Sequence, residues 1–172
     1  MSKAFTKEDD GGGEVIVPRR APLPRGFPNY VTARGLSLLR EELLRLDAER
    51  ERLHARSVDR QAADDPSAKL LAARRGELTE RIVSATLIEP GQAGPADAVR
   101  FGTAVIVRTA AGALQRYHIV GVDEGNVAEG RLAFTSPLAR ALLGRQVGDV
   151  AQVSSHADAE VEILDISVDD GA

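Results

Sequence analysis

The strongest constraint on the fold is a leucine repeat that begins after Thr32. Leucines recur at steps of three and four residues, at Leu36, Leu39, Leu43, Leu46 and Leu53. Arg50 takes the one polar position in the series. A period near 3.5 residues predicts a helix whose apolar stripe packs against a partner helix. The residues between the leucines are arginines, aspartates and glutamates in near balance, which is typical of solvated helix faces.

A second apolar stripe follows Pro66, at Leu71, Leu78, Ile82 and Ala85, with Arg75 at a polar position. Proline fits a turn or the first position of a helix, and Asp65 and Thr32 are residue types that cap helix starts. Two apolar helices on either side of a turn predict an antiparallel α-helical coiled-coil hairpin over residues 30–88. One uninterrupted helix is the alternative, and Pro66 disfavours it.

The segments outside the hairpin differ from it in composition. Residues 1–29 combine three glycines in a row with four prolines, so we expect a disordered tail. The tail has an acidic run followed by Arg19, Arg20 and Arg25, which is typical of a solvated tail or of a basic anchor for a phosphate or an acidic partner. Residues 89–97 (EPGQAGPAD) are predicted to form a linker.

Residues 98–168 predict a small sheet domain with one short helix. Strands are expected at Ala104–Val107, Tyr117–Val120, Val150–Val153 and Val161–Ile166. Ser136 can cap a helix with Pro137 at its first position, and Gly144 can end it in a left-handed conformation. Together with the hairpin, this domain predicts an α+β fold.

Composition narrows the class of function. The net charge of −4 argues against a protein whose whole surface coats nucleic acid. The chain has no cysteine, and we find neither a membrane span nor a signal peptide, so we expect a cytoplasmic protein. The leucine stripe could serve homodimerisation, but the hairpin already buries it internally, so we expect a monomer. With 3% aromatic residues, the core should be aliphatic. The histidines His54, His118 and His156 have no metal-ligand spacing, so no zinc site is expected.

Several motifs resemble those of the GreA/GreB transcript-cleavage factors of bacterial RNA polymerase. In the hairpin these are the segments 30–36 (YVTARGL) and 39–43 (LREEL). In the sheet domain they are FGT at 101–103, YHIVGVDE at 117–124, SPLARALLG at 136–144 and VGD at 147–149. The resemblance extends from Tyr30 to Ile166, and the opening residues MSKAFTKEDD are similar to an extension of GreB-type members.

The resemblance implies an architecture and a partner. The C-terminal domain would be FKBP-like, and its residues Ser136, Pro137 and Arg140 would bind RNA polymerase at the rim of the secondary channel. The hairpin would enter the channel and reach nascent RNA only indirectly. Such a protein is an accessory factor rather than an enzyme, because the polymerase active site carries out any RNA cleavage, with Mg²⁺ shared between the two proteins.

The hairpin tip departs from the family pattern. Residues 59–69 contain no D-x-x-E-N motif, and Asp64 and Asp65 are the candidate catalytic and Mg²⁺-binding carboxylates. Adjacent aspartates in a turn are also ordinary cap residues, and this structural role is the favoured interpretation. The hairpin is about a dozen residues shorter than in the cleavage factors, which at about 1.5 Å per residue shortens its reach by about 9 Å.

The sequence therefore predicts a Gre-type elongation factor that modulates paused or backtracked complexes, with or without stimulating RNA cleavage. Two alternatives stay open. One is a non-catalytic inhibitor that occupies the secondary channel. The other is a protein similar to the nucleoside diphosphate kinase regulators, which resemble this family and have a short hairpin.

Overall fold

The computed structural model describes Arg20 and residues 22–56, 66–92, 94–95, 97–153 and 160–168. In chain order its elements are β1 (Tyr30–Val31), α1 (Ala33–Arg56), α2 (Pro66–Val83), β2 (Thr86–Leu87), β3 (Thr103–Thr109), β4 (Leu114–Val120), two 3₁₀ helices (Val122–Glu124 and Val127–Glu129), β5 (Arg131–Ala133), α3 (Pro137–Leu142), β6 (Val150–Gln152) and β7 (Glu160–Val168). The two long helices precede the strands of the five-stranded sheet in the chain, and the sheet pairings are mostly antiparallel, which confirms the predicted α+β class. None of the helices described is long and apolar enough to span a bilayer.

The predicted apolar stripes of α1 and α2 pack against each other. Their buried residues form one cluster with Val31 of β1, comprising Val31, Leu39, Leu46, Leu71 and Leu78. The remaining predicted positions, Leu36, Leu43, Leu53, Ile82 and Ala85, pack against this cluster. Helix α1 begins as expected, because the hydroxyl oxygen of Thr32 accepts a hydrogen bond from the backbone N–H of Gly35 at 2.9 Å.

Helix α2 runs back along α1. Strand β1, just before α1, pairs in parallel with β2, just after α2, and Tyr30 lies opposite Thr86. Farther along, Arg75 Nε lies 2.6 Å from Asp47 Oδ1, so the polar position in the second stripe contacts α1 through an ion pair. The turn predicted between the helices, with Asp64 and Asp65, lies outside the described residues.

In the part of the chain that the structure describes, five strands form a sheet in the order β5-β4-β3-β7-β6. The four predicted strands are confirmed, with β3, β4 and β7 longer than expected. Strand β5 was not predicted, and it pairs in parallel with β4, whereas the other strand pairings described within this five-stranded sheet are antiparallel. The pairing of β3 with β7 shifts register between Ile106 and Val107, which bends the sheet at that point.

One side of the sheet packs against α3 and forms the main core. Val105, Val107 and Ile119 from β3 and β4 are fully buried, as are Leu142 of α3 and Ile163 of β7. Aliphatic side chains fill this part of the core, as the composition predicts.

The folded part of the chain begins before the predicted boundary at residue 29. Asn29 is buried, and its side-chain amide donates hydrogen bonds to the carbonyl oxygen of Arg81 at 2.7 Å and to Ser84 Oγ at 3.0 Å. Its own carbonyl oxygen accepts a hydrogen bond from the N–H of Thr86. Arg20 and residues 22–29 therefore belong to the packed structure, while residues 1–19 lie outside the described residues.

Candidate functional site

Helix α3 carries the three residues predicted to bind a partner. The hydroxyl oxygen of Ser136 accepts a hydrogen bond from the backbone N–H of Ala139 at 3.3 Å, and Pro137 occupies the first turn. Gly144 has φ +80°, the left-handed conformation expected after the helix. Ala139 and Leu142 anchor α3 in the core, so Pro137 and Arg140 are left exposed on its outer side.

Arg140 lies over an aromatic ring from the N-terminal segment. Its guanidinium carbon is 5.9 Å from the centre of the Phe27 ring, a cation–π geometry. Phe27 itself remains 37% exposed, although it makes an edge contact with Phe134 at 6.0 Å. The exposed surface of α3 therefore combines a cation with an apolar ring. Sequence reasoning missed Phe27, because nothing local indicates that it lies beside Arg140.

The Phe27 contact belongs to a larger aromatic cluster that the composition did not predict. The ring centres of Tyr30, Phe101 and Phe134 lie 5.6 to 5.9 Å from one another. Four of the chain's six aromatic residues thus meet where β1 and the N-terminal segment contact the sheet domain. The expectation of a purely aliphatic core is wrong at this point, since aromatic rings fill the space between the two parts of the molecule.

An open groove of about 550 Å³ runs beside α3. It is lined by Arg140, Ala141, Leu143, Arg145, Val150, Gln152 and Glu160. Val150, which is 49% exposed, adds an apolar side chain to a lining that is otherwise largely polar. Two arginines and one glutamate form its charged rim, so a partner with acidic and apolar side chains would match it.

Two adjacent acidic residues join the sheet domain to the helices. Glu124, whose side chain is 3% exposed, lies in the first 3₁₀ helix and accepts a hydrogen bond from the hydroxyl of Thr32. Arg131 Nη1 donates to Glu124 at 2.8 Å, and Arg34 Nε lies 3.7 Å away. One carboxylate thus links the start of α1 to β5. The packing is close, since a Cβ on Gly35 would lie 2.9 Å from this carboxylate.

Asp123 makes the second link. Its carboxylate lies 3.3 Å from Arg81 Nε on α2, and both side chains are 7% exposed. Arg20 from the N-terminal segment donates to Asp123 and also to Glu42 of α1. Burial lowers the pKa of Arg20, but its hydrogen bonds to Glu42 and Asp123 outweigh this effect, so its pKa lies above the ordinary value.

Sequence reasoning did not assign these junction residues a role. Asp123 and Glu124 formed part of the YHIVGVDE motif, and Arg20 was one of three arginines expected either to be solvated or to anchor a phosphate or an acidic partner. The acidic partners of Arg20 turn out to lie in its own chain. The available signal was a pair of acidic residues that follows the buried end of β4 after Gly121 and Val122.

The structure does not test the predicted tip site, because Asp64 and Asp65 lie outside the described residues. Within the ranges described, no group of three or more His, Cys, Asp or Glu side chains is arranged to hold a metal ion. His54 lies exposed on α1 and His118 lies on β4, whereas His156 is not among the described residues.

Comparison with known proteins identifies the family. The transcription elongation factor GreA of Methylococcus capsulatus is 37% identical over 150 residues, which cover 79% of this chain and 95% of that protein. The chain belongs to the GreA/GreB family of transcription elongation factors. A second relative, GreA of Alkalilimnicola ehrlichii, is 33% identical over the same shares of both chains. The resemblance found in the sequence motifs is therefore confirmed.

The sheet domain by itself also matches the GreA/GreB family. The family profile described as "Transcription elongation factor, GreA/GreB, C-term" matches residues 94–168. These residues include the sheet, α3 and the acidic pair Asp123 and Glu124. The crystal structure of GreA factor homolog 1 (Gfh1) of Thermus thermophilus aligns with 82% of this chain and 99% of that chain, at 22% identity and a TM-score of 0.36.

Proposed function

We propose that this Gre-type factor binds bacterial RNA polymerase at the secondary channel and modulates paused or backtracked elongation complexes. The sheet domain, which the family resemblance implies to be FKBP-like, docks at the channel rim. The two helices act as a coiled-coil hairpin that enters the channel. The protein is an accessory factor, and any RNA cleavage takes place in the polymerase active site.

The observation that carries the docking role is the exposed first turn of α3. Its capped start holds Ser136 and Pro137 in place, and it presents Arg140 beside the exposed ring of Phe27. An arginine stacked on an aromatic ring is partly ordered before a partner arrives, which lowers the entropic cost of binding. Arginine and aromatic side chains are also the types that contribute most at protein interfaces.

The dimensions of the helices support insertion into a channel. Helix α1 has 24 residues, which at about 1.5 Å per residue corresponds to roughly 36 Å. Its exposed side carries charged residues, and the contact with α2 buries the apolar stripe. A rod of this kind can enter a water-filled channel without exposing its apolar stripe.

At the far end of the rod, Asp64 and Asp65 are proposed to contribute carboxylates to a Mg²⁺ ion held jointly with the polymerase. Carboxylate oxygens are suitable ligands, and one or two of them suffice when other groups complete the coordination. The ion would supply charge stabilisation for hydrolysis of backtracked RNA. The contribution of this chain is limited to placing those two carboxylates.

A second candidate function is non-catalytic occupation of the channel. Residues 59–69 contain neither Glu nor Asn, so the D-x-x-E-N pattern of cleavage-competent members is missing. A hairpin without this pattern would still exclude nucleotides or compete with cleavage factors. This candidate shares the docking surface with the first and differs only in what the tip does.

A transcript-cleavage assay on stalled elongation complexes separates the two functions. If the tip carboxylates act, the wild-type protein shortens the RNA in a Mg²⁺-dependent manner and the variant Asp64→Ala/Asp65→Ala does not. The matched control is Asp47→Ala, which removes a carboxylate from the middle of α1 and should leave cleavage intact. Binding without RNA shortening by the wild-type protein would favour channel occupation and reject the cleavage role.

Capture by immobilised core polymerase tests the docking surface. Arg140→Glu should weaken binding at least about tenfold, or about 1.4 kcal/mol, because it reverses the charge at the centre of the surface. Arg116→Glu is the control, since Arg116 is an exposed arginine on β4. Equal affinity of Arg140→Glu and wild type, with both folded by circular dichroism, would remove α3 from the interface. Absence of any competition with a cleavage factor would instead favour a different target, such as a nucleoside diphosphate kinase.

A further inference from the structure

The N-terminal clamp, defined as Arg20 and residues 22–29, contacts both parts of the molecule. At one end the guanidinium of Arg20 lies between Glu42 of α1 and Asp123 of the sheet domain and donates to both. The Arg20 side chain is only 19% exposed, and that of Asp123 is 7% exposed. The Arg20–Asp123 contact is therefore screened less than a surface ion pair, whereas the side chain of Glu42, the other partner of Arg20, is 47% exposed.

The middle of the clamp lies along α2. Pro22 and Leu23 border a groove of about 650 Å³, whose other lining residues are Arg20, Glu77, Glu80, Arg81 and Ser84. Asn29 closes this stretch with its hydrogen bonds to Arg81 and Ser84. The clamp therefore faces the last two turns of α2 across this groove and contacts the helix end at Arg81 through Asn29.

The other end of the clamp reaches the sheet domain. Phe27 contacts Phe134 and lies under Arg140 of α3. Within about ten residues, the clamp thus touches α1, α2, the first 3₁₀ helix and α3. A segment that touches four elements on both sides of a junction restricts how these elements move relative to one another.

Arg20 restricts the helices at a point where the other junction contacts do not. Thr32 and Arg34 bind Glu124 at the very start of α1. Glu42 lies ten residues beyond Thr32, which is about 15 Å farther along the helix axis. A contact at that distance from the base opposes tilting of the helix more effectively than a contact at the base itself.

We propose that the N-terminal clamp sets the direction of the helix pair relative to the sheet domain, and that Arg20 is its positioning residue. Arg20 joins α1, through Glu42, to the carboxylate that already holds α2 through Arg81. Because both helices are linked to Asp123, docking of α3 fixes the position of the far end of the helix pair. This last consequence rests on the proposed function, whereas the orientation itself does not.

Distance measurement between two spin labels tests the orientation directly. The chain has no cysteine, so Arg52→Cys on α1 and Ala110→Cys between β3 and β4, both exposed, can be labelled without further substitutions. We expect one narrow distance distribution for this doubly labelled protein. Adding Arg20→Ala should widen the distribution at least about twofold, because α1 then tilts about its base.

Two further variants make this experiment specific. Glu42→Gln removes the charge of the α1 partner alone and leaves Asp123 and Arg81 in place, so it should widen the distribution without unfolding the protein. Arg25→Ala alters an exposed arginine within the clamp and should leave the distribution unchanged. The proposal is overturned if either Arg20→Ala or Glu42→Gln keeps the wild-type distribution in a protein that is folded by circular dichroism.

A functional readout distinguishes positioning from docking. Arg20→Ala should bind core polymerase within about twofold of wild type, because α3 is unchanged. At saturating protein its maximal effect on elongation complexes should fall about tenfold, because the rod no longer points to one place. A loss of affinity as large as the loss of effect would overturn the positioning role. If wild type does not bind polymerase, the proposed function fails and the spin-label result still decides the orientation.

Discussion

At the scale of single residues, two glycines show how backbone geometry limits the sequence. Gly130 has φ +71°, and a Cβ at this position would lie 2.6 Å from the carbonyl oxygen of Arg116. Gly112 has φ +79°, and no atom lies within 4 Å of the place that a Cβ of residue 112 would occupy. Both glycines thus occupy a conformation that other residues adopt with strain, but only Gly130 also lacks space for a side chain.

The two alanine variants should therefore differ in stability. Gly112→Ala should lower the free energy of unfolding by about 1 kcal/mol, from conformational strain alone. Gly130→Ala should lower it by about 3 kcal/mol, because displacing the β4 backbone adds to that strain. Urea unfolding followed by circular dichroism measures both values. Equal losses of unfolding free energy in the two variants would show that the turn before β5 relaxes and that the close approach of residue 130 to the carbonyl oxygen of Arg116 is unimportant.

At the scale of elements, α3 combines a structural and a proposed binding role in the same residues. Ser136 caps the helix, and the helix presents Arg140 to the outside. A loss of binding on substitution of Ser136 could therefore arise from a missing hydroxyl contact or from a frayed helix. Alanine and glycine separate these causes, since glycine is tolerated at helix N-caps and alanine is not.

We expect Ser136→Ala to lower the free energy of unfolding by about 1 kcal/mol and Ser136→Gly by only a few tenths. Thermal unfolding measures this difference, and polymerase capture is measured on the same two proteins. If the hydroxyl contacts the partner, both variants bind more weakly. If only Ser136→Ala binds more weakly, Ser136 acts through the helix and is not a contact residue.

At the scale of the whole molecule, the acidic pair Asp123 and Glu124 holds the helices to the sheet domain. Both carboxylates are buried and face arginines from other elements. Removing one member of a buried charge cluster leaves its partners without compensation, which costs more than the lost interaction itself. The junction should therefore contribute to global stability, in contrast to the exposed ion pairs on the helix surfaces.

Glu124→Ala is expected to lower the free energy of unfolding by about 3 kcal/mol. Glu129→Ala is the matched control, because Glu129 also pairs with Arg131 but is 56% exposed. Its effect should stay below about 0.5 kcal/mol. The measurement is urea unfolding, and similar effects of the two variants would mean that water reaches the junction and that Glu124 stabilises it little.

The predictions from sequence succeeded where a pattern repeats within a few residues. The leucine stripe placed Leu39 and Leu46 in the helix contact, and cap residues defined the bounds of α3. Strand β5 was missed because its three residues, of which Leu132 alone is buried, are too few to show alternation. Its position depends on parallel pairing with β4, which local sequence does not encode.

In the candidate site, too, the residues of a local motif were predicted and the residues that depend on distant contacts were not. Ser136, Pro137 and Arg140 were found from one continuous motif, and the structure places them on one turn of helix. Phe27 and Arg20 were not found, because their partners Arg140 and Asp123 lie more than a hundred residues away in the chain. Asp64 and Asp65 remain predictions, since they lie outside the described residues.

By itself the sequence determined the two helical stripes, the capped helix α3 and membership of the GreA/GreB family. Helical period, capping and turn conformation depend on interactions between close neighbours in the chain, so they can be recognised without coordinates. Only the tertiary structure decided that Arg20 joins Glu42 to Asp123 and that Phe27 lies under Arg140. Such contacts form only after separate elements have packed, because packing brings together charges and rings that are distant in the chain.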